Sequence, residues 1–164
     1  MTIYSNGDNQ IAELLIQVPG TVNFNINNPI EVKPNVFTPI YINLRNTISN
    51  VMVRNIISQK LALSIKSNPD YICGVESGGS YYASRVSDIL NKPLILLRKE
   101  DKSYGDKKRI LGQIPDPGSR VAIIDDVIAT GLTTAKSTEY LNKLKLNTQV
   151  YAVFSYGYNK EIAN

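Results

Sequence analysis

Residues 121–134, VAIIDDVIATGLTT, set two adjacent aspartates, Asp125 and Asp126, after four apolar residues and before a small, hydroxyl-bearing turn. Val121, Ala122, Ile123 and Ile124 do not alternate with polar residues, so they read as a strand buried on both faces. The acids are then expected where the strand leaves the core. After Gly131, residues Leu132, Ala135, Tyr140, Leu141 and Leu144 recur at roughly helical spacing, with Thr133 or Thr134 placed to cap the helix start. Thr130, Gly131 and Thr133 thus lie at a helix start, where unpaired amides and the helix dipole favour a phosphate. Two carboxylates beside such a cradle suit a ribose phosphate. They offer acceptors for the 2- and 3-hydroxyls, and magnesium nearby would offset their repulsion.

Composition narrows the chemistry further. The 164 residues contain no histidine, which removes Ser-His and Cys-His nucleophiles, imidazole zinc sites and the commonest general base. Any reaction must run on carboxylates, lysines, arginines, backbone amides or a metal. The single cysteine, Cys73, lies in the apolar run YICGV and reads as a buried, inert thiol. A net charge of +4 suits an anionic ligand among other partners. Nothing approaches the ~18 uninterrupted apolar residues of a membrane span, and the polar start MTIYSNGDNQ lacks a signal pattern. The expectation is a cytoplasmic protein with neither a membrane nor a nucleic acid as partner.

The elements that must position these residues alternate along the chain. A helix is expected over 8–18, and short strands over TVNFNI, IEVK and PIYINL. Val53, Ile56, Ile57, Leu61 and Ile65 give a long amphipathic helix from 49 to about 66. Then follow a strand at 71–75, a helix at 79–90, a strand at 93–98, a polar segment at 99–116, the acid-bearing strand with its helix, and a last strand QVYAVFSY. Strands separated by helices predict an α/β fold: a central, mostly parallel sheet flanked by helices. One domain is expected, residues 1–45 forming a small N-terminal elaboration and 46–164 the core. In such sheets ligands bind beyond the carboxyl ends of the strands, on the side where Asp125 and Asp126 are expected.

Two more segments fit an anion. Gly78 and Gly79, in GVESGGS at a strand-to-helix junction, let backbone amides approach a phosphate closely. Arg98 and Lys99 follow directly on the strand PLILL, at the ligand end of the sheet.

VAIIDDVIATGLTT resembles the phosphoribosyl pyrophosphate signature of the type I phosphoribosyltransferases. IEVKPNVFTPIYINLR, residues 30–45, is similar to the N-terminal segment of the orotate phosphoribosyltransferases, with Lys33, Thr38, Pro39, Tyr41 and Arg45 on the pattern. LLRKEDKSYG, residues 96–105, resembles that family's mobile loop, with Arg98, Lys99, Glu100 and Lys102 in register, and CGVESGGSYYA resembles its pyrophosphate loop. The similarity covers nearly all of the chain from residue 30 and implies the type I phosphoribosyltransferase fold with an N-terminal hood. The implied reaction transfers a phosphoribosyl group from phosphoribosyl pyrophosphate to a nucleobase, orotate first, with magnesium as cofactor.

By this resemblance, Asp125 and Asp126 hold the ribose and, through water, the metal. Ala129, Thr130, Gly131, Leu132 and Thr133 grip the 5-phosphate. Glu76, Ser77, Gly78 and Gly79 form the pyrophosphate loop, and Arg98, Lys99 and Lys102 neutralise the pyrophosphate. Lys33 reaches the base or the pyrophosphate, and Tyr41 stacks on the base. The loop carrying the lysines serves the neighbouring subunit, which implies a homodimer with shared active sites. Three positions depart from the family's pattern. Tyr104 stands where the loop usually has histidine, Gly78 where a lysine is common, and no arginine follows the last strand to pair with the orotate carboxylate; Lys160 is the nearest cation there. The base therefore stays open between orotate and a purine or other base, and a non-catalytic phosphoribosyl pyrophosphate-binding regulator is the third reading.

Overall fold

The computed structural model describes residues 3–4, 9–98 and 109–157, apart from the side chains of 3, 4 and 33. Lys99, Glu100, Lys102, Tyr104 and Lys160 lie outside the described residues. In chain order the elements are β1 (Ile3–Tyr4), α1 (Asn9–Gln17), β2 (Val22–Phe24), β3 (Ile30–Lys33), β4 (Val36–Thr38), β5 (Ile40–Ile42), a 3-10 helix (Leu44–Ser49) and α2 (Val51–Ser64). They continue with β6 (Tyr71–Val75), α3 (Gly78–Leu90), β7 (Leu94–Leu97), β8 (Ile110–Leu111), β9 (Arg120–Ile128), α4 (Leu132–Lys143) and β10 (Asn147–Ser155). The chain divides into two compact units, one of residues 6–57 and the other of residues 1–5 with 58–164, the division falling inside α2. None of the described helices is long and apolar enough to cross a membrane.

The larger unit is built on a six-stranded sheet of order β1-β10-β9-β6-β7-β8. All its pairings are parallel except β7 with β8. The apolar runs that announced strands supply its core, since Ile72, Cys73, Ile95, Leu97, Ile123 and Ile124 are fully buried. Helices α3 and α4 cover the sheet, α3 burying Tyr82, Ala83 and Val86. Burial pushes the Cys73 thiol up to about 12, so it is inert at neutral pH. β1 and β8 add short edge strands where none was expected.

Two expectations need correction. The strand that carries the acids does not end at them: β9 runs on to Ile128, because β10 stays paired alongside from Ala152↔Asp125 to Ser155↔Ile128 and Ile128 is itself buried. Asp125 is therefore inside the sheet, only 8% exposed, not at a surface strand end. Helix α4 also turns a different face inward. Leu132 and Ala135 are exposed, whereas Thr134, Ser137 and Leu141 are buried. Its N-cap is Gly131, with no side-chain cap bond, so neither Thr133 nor Thr134 caps the helix.

In the smaller unit, β2 pairs antiparallel with β5 and β3 antiparallel with β4. The unforeseen β4 is separated from β5 by Pro39, which has no amide to continue a ladder. Instead the Thr38 hydroxyl donates to the Ile40 carbonyl, at 2.9 Å. Lys33 ends β3, Tyr41 is half-buried in β5 opposite Asn23, and Arg45 falls in the 3-10 helix. Helix α1 buries Leu14 and Leu15.

Candidate active site

The carboxyl ends of β6, β7, β9 and β10 lie side by side in the larger unit, and each is followed by a segment singled out in the sequence. Val75 pairs with Leu97, and the Glu76 amide donates to the Leu97 carbonyl at 3.0 Å. The pyrophosphate-loop candidates Glu76 and Ser77 thus stand beside Arg98. The peptide between Glu76 and Ser77 is cis. β6 is also the neighbour of β9, with Gly74 opposite Ile124. That register sets the start of α3 directly against the two acids.

The two glycines that open α3 show how close this approach is. A methyl group added at Gly78 would fall on the Asp126 carboxylate. One added at Gly79 would fall on the Ile124 carbonyl oxygen and lie 3.0 Å from the Asp125 Cα. Neither position has room for a side chain while Asp126 and the β9 backbone keep their places, so the amides at the start of α3 and the acids of β9 share one site. As the site is built, any side chain at position 78 displaces Asp126.

Asp125 is held from both sides. Its Oδ1 accepts the Asp126 amide at 3.0 Å, and its Oδ2 accepts the Thr134 hydroxyl at 3.3 Å. Burial first, then the charge of Asp126, pushes its carboxyl up to about 7. Beyond β9 the chain turns through Ala129 and Thr130 to Gly131, whose φ of 77° is the left-handed conformation that only glycine adopts without strain. The first helical bond runs from the Ala135 amide to the Gly131 carbonyl at 2.8 Å. The amides of Leu132, Thr133 and Thr134 thus open α4 without helical partners of their own, the usual basis of phosphate binding at a helix start. The Thr130 and Thr133 side chains are half-buried at this turn.

The structure therefore brings together Asp125, Asp126, Glu76, Ser77, Gly78, Gly79, Arg98 and the loop 129–133. Lys33 and Tyr41 belong to the smaller unit, and Lys99 and Lys102 lie outside the described residues. The sequence reading missed two residues. Thr134 appeared only as a possible cap, although a threonine repeated after Thr133 was a visible signal. Arg109 closes the segment that begins at Arg98. Its guanidinium donates twice to the Arg98 carbonyl, at 3.2 and 3.1 Å, and lies 4.4 Å over the Tyr140 ring of α4. In the sequence it was one cation in the run KKR.

Comparison with known proteins identifies the family. Residues 44–160 match the family model described as the phosphoribosyl transferase domain. Orotate phosphoribosyltransferase of Listeria innocua is 31% identical over 157 residues, 93% of this chain and 74% of that protein. Among solved structures, Leishmania donovani UMP synthase aligns with a TM-score of 0.76 at 24% identity, over 92% of this chain and 37% of that one. Orotate phosphoribosyltransferase of Aeropyrum pernix aligns with a TM-score of 0.72 at 21% identity, over 93% of this chain and 98% of its own. These two likenesses concern the fold, which is that of the type I phosphoribosyltransferases. The chain belongs to the phosphoribosyltransferase family, and the orotate phosphoribosyltransferases are its relatives.

Proposed function

We propose that this chain transfers the phosphoribosyl group of phosphoribosyl pyrophosphate to orotate, giving orotidine 5'-monophosphate and pyrophosphate, a step of pyrimidine nucleotide synthesis. The observation that carries the reading is the packing of Gly78 on the Asp126 carboxylate. It joins an anion-binding helix start to a pair of acids, with the second anion-binding helix start, that of α4, one turn of chain away. A molecule carrying a phosphate, a pyrophosphate and ribose hydroxyls between them matches that order of groups.

The residue roles follow from charge. Breaking the bond from the anomeric carbon to pyrophosphate leaves a cationic ring and a highly charged leaving group, so catalysis rests on preorganised electrostatics. Asp125 and Asp126 accept the ribose hydroxyls and balance the charge on the ring. The loop 129–133 holds the 5-phosphate, and amides at the start of α3 together with Arg98 meet the pyrophosphate. Lys99 and Lys102 add positive charge to the departing group, and Lys33 and Tyr41 serve the base side. The described residues form no group of three or more metal-ligating side chains. Two acids are nonetheless a fitting set for a magnesium ion held mainly by substrate oxygens and reached through water. When bound, magnesium would polarise the leaving pyrophosphate.

A second reading, a purine or other base in place of orotate, is favoured by one feature of the chain. Residues 121–164 contain no arginine, the side chain that pairs bidentately with a base carboxylate. One assay separates the two readings: phosphoribosyl pyrophosphate with orotate, uracil, adenine, guanine or hypoxanthine, each with magnesium and with excess chelator. Orotidine monophosphate formed only with magnesium is the expected result, and turnover of a purine alone would overturn the choice of base. A cytoplasmic homodimer with shared sites completes the reading. Mixing an inactive Lys99→Ala, Lys102→Ala chain with an inactive Asp125→Asn, Asp126→Asn chain should then restore activity.

A further inference from the structure

A helix face that packs on a strand of isoleucine and valine is ordinarily apolar. Helix α4 departs from this at Thr134, which is 1% exposed. A buried hydroxyl must find a partner, and this one donates to Asp125 Oδ2 across 3.3 Å. The other carboxylate oxygen is already fixed by the strand itself, through the Asp126 amide. One oxygen is thus tied to β9 and the other to the helix whose first residues form the phosphate cradle.

From this arrangement we infer that Thr134 is a positioning residue, an inference that rests on the ribose role proposed for Asp125. Its hydroxyl sets the plane of the Asp125 carboxylate relative to the 5-phosphate site. An acceptor locked in orientation before the substrate arrives needs no reorganisation as charge develops on the ring. Valine has nearly the shape of threonine but cannot donate, and serine keeps the donor while losing the methyl group. The donor and the packing are therefore separable.

The test compares Thr134→Val, Thr134→Ala and Thr134→Ser with wild type, with Asp125→Asn alongside. Steady-state kinetics, calorimetric binding of phosphoribosyl pyrophosphate with magnesium, and thermal melting are measured for each. Val and Ala should lower kcat by about ten- to a hundredfold, the scale of one hydrogen bond to a charged group. KM and the calorimetric dissociation constant for phosphoribosyl pyrophosphate should change little, and Ser should restore most of kcat. Wild-type kcat in Val, a Ser variant as impaired as Val, or a loss carried by KM alone would overturn the inference. Should Val fail to fold, Ala against Ser makes the same comparison. Retained turnover in Asp125→Asn would instead defeat the ribose role itself, whereas an inactive Asp125→Asn beside a fully active Val overturns only the role of Thr134.

Discussion

The two ends of β9 treat an acid in opposite ways. At the amino end Arg120 donates to Asp70 from its backbone amide at 2.8 Å, from Nε at 3.1 Å and from Nη2 at 2.8 Å. Those contacts hold the Asp70 carboxyl down at about 2. At the carboxyl end Asp125 is buried beside a second acid and its carboxyl is pushed up to about 7. The first acid is satisfied within the fold. The second is placed against its own electrostatic interest, an arrangement that clusters at functional sites.

The largest effect should come from removing the charge at the strained end. Asp125→Asn with Asp126→Asn keeps the shape of both side chains but should cut turnover by roughly a thousandfold or more, because charge on the ribose ring is no longer balanced. The double variant should still fold, which circular dichroism and melting would check. Near wild-type turnover would show that the contrast between the two ends has no bearing on catalysis.

Next come the glycines that press on those acids. At Gly79 an added methyl group meets the backbone carbonyl of Ile124, which cannot move without shifting the sheet. Gly79→Ala should cost about 1–3 kcal/mol of stability, as overpacking does, and lose activity with it. At Gly78 the obstacle is the end of a side chain, which can rotate. Gly78→Ala should melt close to wild type yet lose turnover on the order of a hundredfold, as expected when a reacting group is misplaced by about 1 Å. Equal destabilisation of both variants would show that Asp126 is as rigid as the backbone.

Most of this site was legible in the chain, for a physical reason. Alternation of apolar runs with helical periodicity located β6, β7, β9 and their helices, and glycine pairs and adjacent acids are rare enough inside such units to stand out. What escaped was set by pairing across the sheet. The extension of β9 through Asp125 to Ile128 depends on β10 lying alongside, and no local pattern around two charged residues announces it. Likewise α4 buries Thr134 and Ser137 although Leu132 and Ala135 are the more apolar, because the turn at Gly131 sets the phase of the helix. β1 and β8, two residues each, are too short for any periodicity to show.

The strain at Asp125 is measurable without substrate. Its folded carboxyl stands near 7 against an ordinary 3.8, so between those values the folded state binds more protons than the unfolded chain. Stability must then fall as pH rises through that window. Asp125→Asn removes the charge while keeping an acceptor for the Asp126 amide. It should melt above wild type at pH 8, and the gain should fade as pH drops, vanishing below about 4 where wild type is protonated in both states. A variant less stable than wild type at pH 8 would mean that the buried carboxylate is well accommodated after all.

The smallest effect is expected at the relaxed end. Asp70→Asn leaves an oxygen for the Arg120 amide and removes only the charge, in a pair whose side chains are about half exposed, at 42 and 49%. Such pairs contribute little in water and less in salt, so the loss in melting temperature at pH 7 should be slight and should shrink further at high ionic strength. The sign follows from the depressed carboxyl. Asp70 titrates near 2 in the folded protein against an ordinary 3.8, so its contribution is present above 3.8 and is lost as pH falls through 2. The difference between wild type and Asp70→Asn should therefore narrow on acidification, where that between wild type and Asp125→Asn also closes but from the opposite side. Turnover should not change, since Asp70 lies at the end of the sheet away from the acids. A large drop in turnover for Asp70→Asn would break the division of β9 into a structural end and a chemical one.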